Sequence, residues 1–432
     1  MIRMGYQSVK YGAILVTVLL ACSTCNRHLS NSLIAPTTNS EASSAKPYLF
    51  LISLDGFRWD YVEQYKPPHL SAFIEQGVQA ESLIPSFPTK TFPNHYTIAT
   101  GLYPDNHGLL GNNFFSYEKQ VIYNIRNREL VEDGAFYGGS PIWIQASKAG
   151  MLSASYFFVG TEANIQGLHP TYYHRFDGSV ENELRVEQAL NWLALPEATR
   201  PHLITMYFSD MDDTGHSFGP NNEERIKESL FDLDTVLGDL FQGIKKTGLP
   251  VNVIIVSDHG MLEVPLEKYI PIEMVKDDEL YLTVNNGAIV NIHPKDISQL
   301  NAIYNSLKTK EKNFKVYKTK NTPYFEYAPK NRNWGAIQVI PDEGYYFSGA
   351  RVIGLKRKSP KKVFGQHGFS PDLKEMHGIF YANGPAFKPG YKVPSVKNIH
   401  VYPLMCKILG LEVPKNIDGD LKQLESVLQL EN

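Results

Sequence analysis

Three predominantly apolar runs, Tyr48–Leu54, His202–Phe208 and Val251–Val256, each pass within a few residues into acidic and histidine side chains. Strands that are apolar along their whole length, rather than at alternate positions, are buried on both faces. Such strands belong to mostly parallel sheets covered by helices on each side. Ser153–Val159 and His377–Tyr381 are further strand candidates. Between the runs lie amphipathic segments, the clearest over about 222–246, where Ile226, Leu230, Leu233, Leu237, Leu240 and Ile244 fall on one helical face. Strand and helix in alternation predict an α/β layered fold with a mostly parallel central sheet.

That rhythm breaks over about 262–360. Short alternating runs (Leu280–Val284, Ala288–Ile292, Ala336–Ile340), one helix near Asp296–Thr309 and several turn signals predict a small inserted α+β subdomain. The catalytic core then occupies 47–261 and resumes over 361–425. At 432 residues the chain can bury a large core, and its 43% hydrophobic and 20% charged composition is that of a globular protein. A net charge of -3 argues against nonspecific nucleic-acid binding, so no nucleic-acid partner is expected.

Residues 1–21 read as a signal peptide: Arg3 and Lys10 precede an apolar run too short to cross a bilayer. The ending Leu19-Leu20-Ala21-Cys22 resembles a bacterial lipobox, which would place a lipid anchor on Cys22. The Ser/Asn/Thr-rich stretch 22–46 reads as a flexible tether. An exported protein of the bacterial cell envelope is the expectation. Cys406, the only cysteine beyond the N-terminal segment, falls in an apolar helical pattern and reads as a buried thiol. Oligomeric state has no signal in the sequence.

In open α/β sheets, ligands bind beyond the carboxyl ends of the strands. Asp55 follows the first run, Asp212 and His216 the second, and Asp258-His259 the third; His367 lies in a glycine-flanked loop after the insertion. Asp212 and His216 are expected to converge across a tight turn at Gly215. Mixed Asp/His donors suit zinc, and there are enough for two ions, which about 4 Å apart would clamp a phosphoryl group. Thr91 opens a predicted helix in Lys90-Thr91-Phe92-Pro93-Asn94-His95. A threonine there is commonly a helix cap, but metal coordination would make it a nucleophile.

Pro88 through Tyr96, Thr100-Gly101-Leu102-Tyr103-Pro104, His107-Gly108, Ser257-Asp258-His259-Gly260-Met261 and Met376-His377-Gly378 together resemble the nucleotide pyrophosphatase/phosphodiesterase family of the alkaline phosphatase superfamily. The resemblance runs from about Lys46 to Gly419. It implies an alkaline-phosphatase-like three-layer sandwich and two zinc ions, one on Asp55, Asp258 and His259 facing Thr91, the other on Asp212, His216 and His367. It also implies a covalent nucleotidyl-threonine at Thr91, hydrolysed by zinc-activated water, and a phosphate-oxygen contact from Asn112. Phe92 and Phe176 match positions that stack a nucleobase, Lys90 would meet polyphosphate charge, and Tyr207 would lie near the site. Phe176 and Phe158 stand where animal members are expected to carry Tyr and Trp. Nucleotide phosphodiester or pyrophosphate bonds are therefore the expected substrates, with nucleoside 5′-monophosphates as products. Choline-type phospholipids on the same metal core, and a non-catalytic surface binding protein, are the alternatives.

Overall fold

The computed structural model describes residues 35–429; the signal segment, Cys22 and Cys25 lie outside them. Tyr48–Leu54 is the middle of an eight-stranded sheet, and every one of its residues is buried. Leu203–Phe208 and Val251–Val256 pair with it in parallel, one on each side. Ser153–Tyr156 and Tyr172–His174 extend the sheet past Leu203–Phe208, also in parallel. Phe380–Asn383 pairs antiparallel with Val251–Val256 and with Val78–Ala80, and Tyr391–Val393 closes that edge parallel to Val78–Ala80. One strand in eight therefore runs against the rest.

Pleating sends alternate residues of the central strand into two different cores. Leu49 and Leu51 join a cluster with Tyr96, Ile98, Trp143, Leu404 and Met405, on the helices Thr91–Thr100, Ile142–Lys148 and Val401–Leu409. Phe50, Ile52 and Leu54 join Val186, Leu230, Leu233 and Leu237, on Asn182–Leu193 and Glu223–Thr247. Helices thus cover both faces, giving the three-layer α/β sandwich, and the free Cys406 is buried in the first of these cores.

Between Leu262–Pro265 and Val363–Gln366, which pair antiparallel, the chain makes a long excursion. Its centre is a four-stranded antiparallel sheet in the order Tyr281–Asn285, Val290–Pro294, Ile337–Pro341, Phe314–Lys318. Ile303 and Leu307 of the helix Leu300–Lys308 pack with Val290, Ile292 and Val339 in a separate core.

The stretch read as a tether ends earlier than 46. Asn39 donates to the carbonyl of Arg200 at 2.8 Å and accepts from the Leu152 N–H at 2.9 Å, and Ser43 donates to the Ala149 carbonyl at 3.0 Å. Short polar side chains bond local backbone, so a Ser/Asn-rich stretch can cap neighbouring elements as readily as it can hang free.

Candidate bimetal active site

In-register strand ends bring the acidic residues together. Ser53 is opposite both Tyr207 and Val256, so the chain segments beyond them emerge at one level. The backbone then turns tightly at Gly56, whose φ of +65° and 2.8 Å approach of a would-be Cβ to the Asp212 Cα leave room for glycine alone. Asp212 and His216 do not meet across a turn. Asp210–Phe218 is an α-helix, and they share one of its faces at i and i+4, with His216 Nε2 3.5 Å from Asp212 Oδ1.

Each histidine is oriented through its other ring nitrogen. Nδ1 lies 2.8 Å from the Gly365 carbonyl in His216, 2.8 Å from the Gly260 carbonyl in His259 and 2.9 Å from the Thr89 carbonyl in His367. A carbonyl only accepts, so Nδ1 carries the proton and the Nε2 lone pair is left to face the site. His259 Nε2 lies 3.1 Å from Asp258 Oδ2 and 3.5 Å from Asp55 Oδ1; His367 Nε2 lies 4.0 Å from Asp212 Oδ1. The edge of a coordination tetrahedron is about 3.3–3.6 Å for bonds of about 2.0–2.2 Å; the His259–Asp55 gap falls in that range, the His259–Asp258 gap just below it and the His367–Asp212 gap above it.

Burial tests whether a cation fits. Asp55 Oδ1, Asp212 Oδ1 and Asp258 Oδ2 are buried and have no hydrogen-bond partner. Burial raises the pKa of all three carboxyls, and the charges of neighbouring carboxylates raise those of Asp55 and Asp258 further. Burial likewise pushes His259 and His367 well down, towards the neutral form that ligates metal. Three unpartnered anionic oxygens among neutral imidazoles are a cation site by charge and by donor type. Among the described residues, two groupings are tight enough to hold an ion, Asp55–Asp258–His259 and Asp212–His259–His367. His259 thus reaches toward both, while His216 supplies a further nitrogen beside Asp212.

Thr91 is the first residue of the helix Thr91–Thr100, and its Oγ1 lies 3.3 Å from His259 Nε2. His95, one turn on, bonds the Thr91 carbonyl through Nδ1 at 2.9 Å and Ser53 Oγ through Nε2 at 2.8 Å, with Asp258 Oδ2 3.3 Å away. It ties the threonine helix to the metal-binding strand ends. Asn112 Oδ1 accepts from the Phe92 N–H at 3.1 Å, so its NH2 group remains for the cavity that it lines.

That cavity has a volume of about 930 Å³. Phe92 and the 45% exposed Phe176 both border it, as do Lys90, Tyr207, Asp55, Asp212, His216 and His367. Tyr207, expected only near the substrate, donates its hydroxyl to Asp55 Oδ2 at 2.7 Å. The bond fixes that carboxylate, and if Asp55 holds an ion, Tyr207→Phe is expected to weaken metal affinity about 10–100-fold. Activity titrated against free zinc checks this: a curve that coincides with wild type contradicts it.

The sequence reading missed the contribution of the inserted segment. Lys90 Nζ donates to the Tyr346 hydroxyl at 3.1 Å, and burial lowers the lysine pKa to about 7, opposed by the charge of Asp212. Asn285, Asn286, Gly287, Phe347 and Ser348 also line the cavity. Glu162, buried on a loop of the core, accepts from the Phe176 N–H and from Arg128, and so holds the exposed phenylalanine in place.

The family model for type I phosphodiesterase / nucleotide pyrophosphatase matches residues 49–370. The chain belongs to that family. Its members are hydrolases, and the fold of its solved relatives is the mixed α/β fold described above. The chain is 33% identical over 406 residues to ectonucleotide pyrophosphatase/phosphodiesterase family member 1 of Mus musculus, covering 91% of this chain but 44% of the relative, less than half its length. It is 34% identical over 394 residues to human bis(5'-adenosyl)-triphosphatase ENPP4, covering 90% of this chain and 83% of the relative. Among solved structures it is similar to murine ectonucleotide pyrophosphatase/phosphodiesterase 5, with a TM-score of 0.80 at 31% identity over 88% of this chain and 100% of that one. An inactive threonine-to-alanine variant of that murine protein, in complex with AMP, superposes with a TM-score of 0.81 at 30% identity, over 89% of this chain and 100% of that one.

Proposed function

We propose that this chain is a zinc-dependent phosphodiesterase and nucleotide pyrophosphatase that releases nucleoside 5′-monophosphates through a covalent bond from Thr91 Oγ1 to phosphorus. The observation that carries this reading is Thr91 Oγ1, 3.3 Å from His259 Nε2, beside three buried carboxylates whose inward oxygens have no partner. Asp55, Asp258 and His259 would hold one ion near Thr91, and Asp212, His216 and His367 the other. Bound zinc would supply Lewis acidity, lowering the pKa of the threonine hydroxyl and drawing charge from the phosphoryl oxygens.

The remaining work falls to the chain itself. The helix beginning at Thr91 presents its N-terminal dipole to the phosphoryl group, and the Asn112 amide donates to an oxygen as charge develops there. Thr91 Oγ1 gives up its proton, to the departing oxygen or to solvent, and bonds to phosphorus as the leaving group departs on the opposite side. Water then displaces Oγ1 at the same phosphorus, returning the proton to threonine and freeing the monophosphate. Lys90, steered by Tyr346, meets the polyphosphate, and Phe92 and Phe176 border the place for a base.

The printed descriptions of the relatives support a nucleotide substrate: one is a bis(5'-adenosyl)-triphosphatase, and another binds AMP as an inactive threonine-to-alanine variant. Turnover of p-nitrophenyl-TMP should greatly exceed that of p-nitrophenyl-phosphorylcholine; the opposite preference overturns the substrate assignment. Stacking on an aromatic ring contributes about 1–3 kcal/mol per base, so Phe176→Ala should raise KM for p-nitrophenyl-TMP about tenfold. The same variant should leave bis-p-nitrophenyl phosphate, which has no nucleobase, close to wild type. Equal losses on both substrates would contradict a base-binding role. The N-terminal segment we read as an export signal with an acyl anchor on Cys22, which the mass of the mature N terminus tests.

A further inference from the structure

The segment from Gly344 to Pro371 carries Arg351, Lys356, Arg357, Lys358, Lys361 and Lys362 and no Asp or Glu, in a chain whose net charge is -3. None of these six forms an ion pair with a carboxylate among the described residues, whereas Arg225, Lys308 and Lys374 pair with Glu228, Glu311 and Glu81. The carboxylate that does approach, Glu273, accepts from the backbone N–H of Ala350. Lys361 and Lys362 donate to backbone carbonyls, of Ser217 at 2.8 Å and of Ser359 at 2.9 Å, and Lys361 also lies 4.0 Å over the Phe218 ring, which leaves both without a carboxylate counter-charge.

Four of the six lie on the helix Ala350–Lys358. Ile353 is its buried residue and packs against Leu266 and Phe364. On the opposite side, helical spacing groups Val352 and Leu355 with Arg351 and Lys358. Val352 is 46% exposed and Leu355 59%. The outward face is therefore an aliphatic pair flanked by cations.

We propose that this face docks on an anionic lipid bilayer. Uncompensated cations are drawn to acidic headgroups, and the two aliphatic side chains between them gain by entering the interfacial layer. A soluble polyanion would meet the charges but offer nothing to Val352 and Leu355, so a bilayer fits the whole face better. The helix begins two residues beyond Ser348, which lines the catalytic cavity, and Lys361 bonds the carbonyl next to His216. Docking here holds the cavity beside the surface.

The test is the partition of the full chain onto phosphatidylcholine vesicles with and without phosphatidylglycerol. The ratio of the two partition coefficients removes whatever the N-terminal segment adds to both. At low salt the ratio should exceed about 100, and the triple variant R351E/R357E/K358E should bring it near one. V352S/L355S should lower it severalfold, and all variants should hydrolyse p-nitrophenyl-TMP as wild type does, since none of these residues lies in the site. A wild-type ratio near one, or a ratio unmoved by the charge reversal, overturns the proposal. So does a soluble polyphosphate that abolishes vesicle binding while V352S/L355S leaves it intact, which would make the face a polyanion site instead.

Discussion

Thr91→Ala is expected to lower kcat for nucleotide diesters by about 10⁴-fold or more while leaving the fold and the metal content unchanged. Thr91 is the first residue of its helix, and its hydroxyl caps nothing, because the cap position is Lys90 in extended conformation with no side-chain bond. Removing the hydroxyl therefore costs the helix little. The atom it touches is Nε2 of His259, a residue whose Nδ1 keeps its own bond to the Gly260 carbonyl. Thr91→Ser, which restores a hydroxyl at the same place, should recover a large part of the rate. Steady-state kinetics with elemental analysis checks both: an alanine variant within tenfold of wild type would remove the nucleophile from the scheme.

Metal removal should have the second large effect. Stripping the protein with a chelator is expected to abolish turnover and to lower Tm by on the order of 5–10 °C, with zinc restoring both. Asp55 and Asp258 are buried; burial raises the pKa of each, the charges of Asp258 and Asp212 raise that of Asp55 further and the charge of Asp212 that of Asp258, and their inward oxygens have no hydrogen-bond donor. Without a cation these charges face one another in a low dielectric. In Asp258→Asn, which carries one charge fewer, the chelator should shift Tm less than in wild type. Turnover that survives when elemental analysis finds the protein free of metal would contradict the account.

The strand ends were legible because parallel strands buried on both faces leave uninterrupted apolar runs, and Asp55, Asp212 and Asp258 are the first acidic positions that serve the crevice beyond them. The helix Asp210–Phe218 was not. Gly215 reads as a turn residue, yet it is helical, and what calls for glycine there is packing: a Cβ would press on Met261, and one on Gly365 would strike the Gly215 carbonyl at 2.3 Å. Tertiary approach overrode propensity. The three-residue strands Val78–Ala80 and Tyr391–Val393, the outer pair at one side of the sheet, are too short to carry a period.

What most escaped the sequence was contact at long range. The Lys90–Tyr346 bond joins residues 256 apart in the chain, and Tyr346 sits in Gly344-Tyr345-Tyr346-Phe347-Ser348, which carries no alternating pattern and no site motif. Glu162 is one acid in an irregular loop until folding sets it between Arg128 and the Phe176 backbone. Tyr207 reads from the sequence only as lying near the site, and its 2.7 Å bond to Asp55 shows the carboxylate that it holds. Partners of this kind depend on register and loop path, which no local pattern encodes.

The stereochemical course at phosphorus tests the central claim most directly. A chiral phosphorothioate diester of a nucleoside, hydrolysed in isotopically labelled water, reports whether phosphorus is displaced once or twice. Attack by Thr91 followed by water inverts phosphorus twice, so the account predicts net retention of configuration. Net inversion would mean that water attacks the diester directly, and would contradict a covalent threonine.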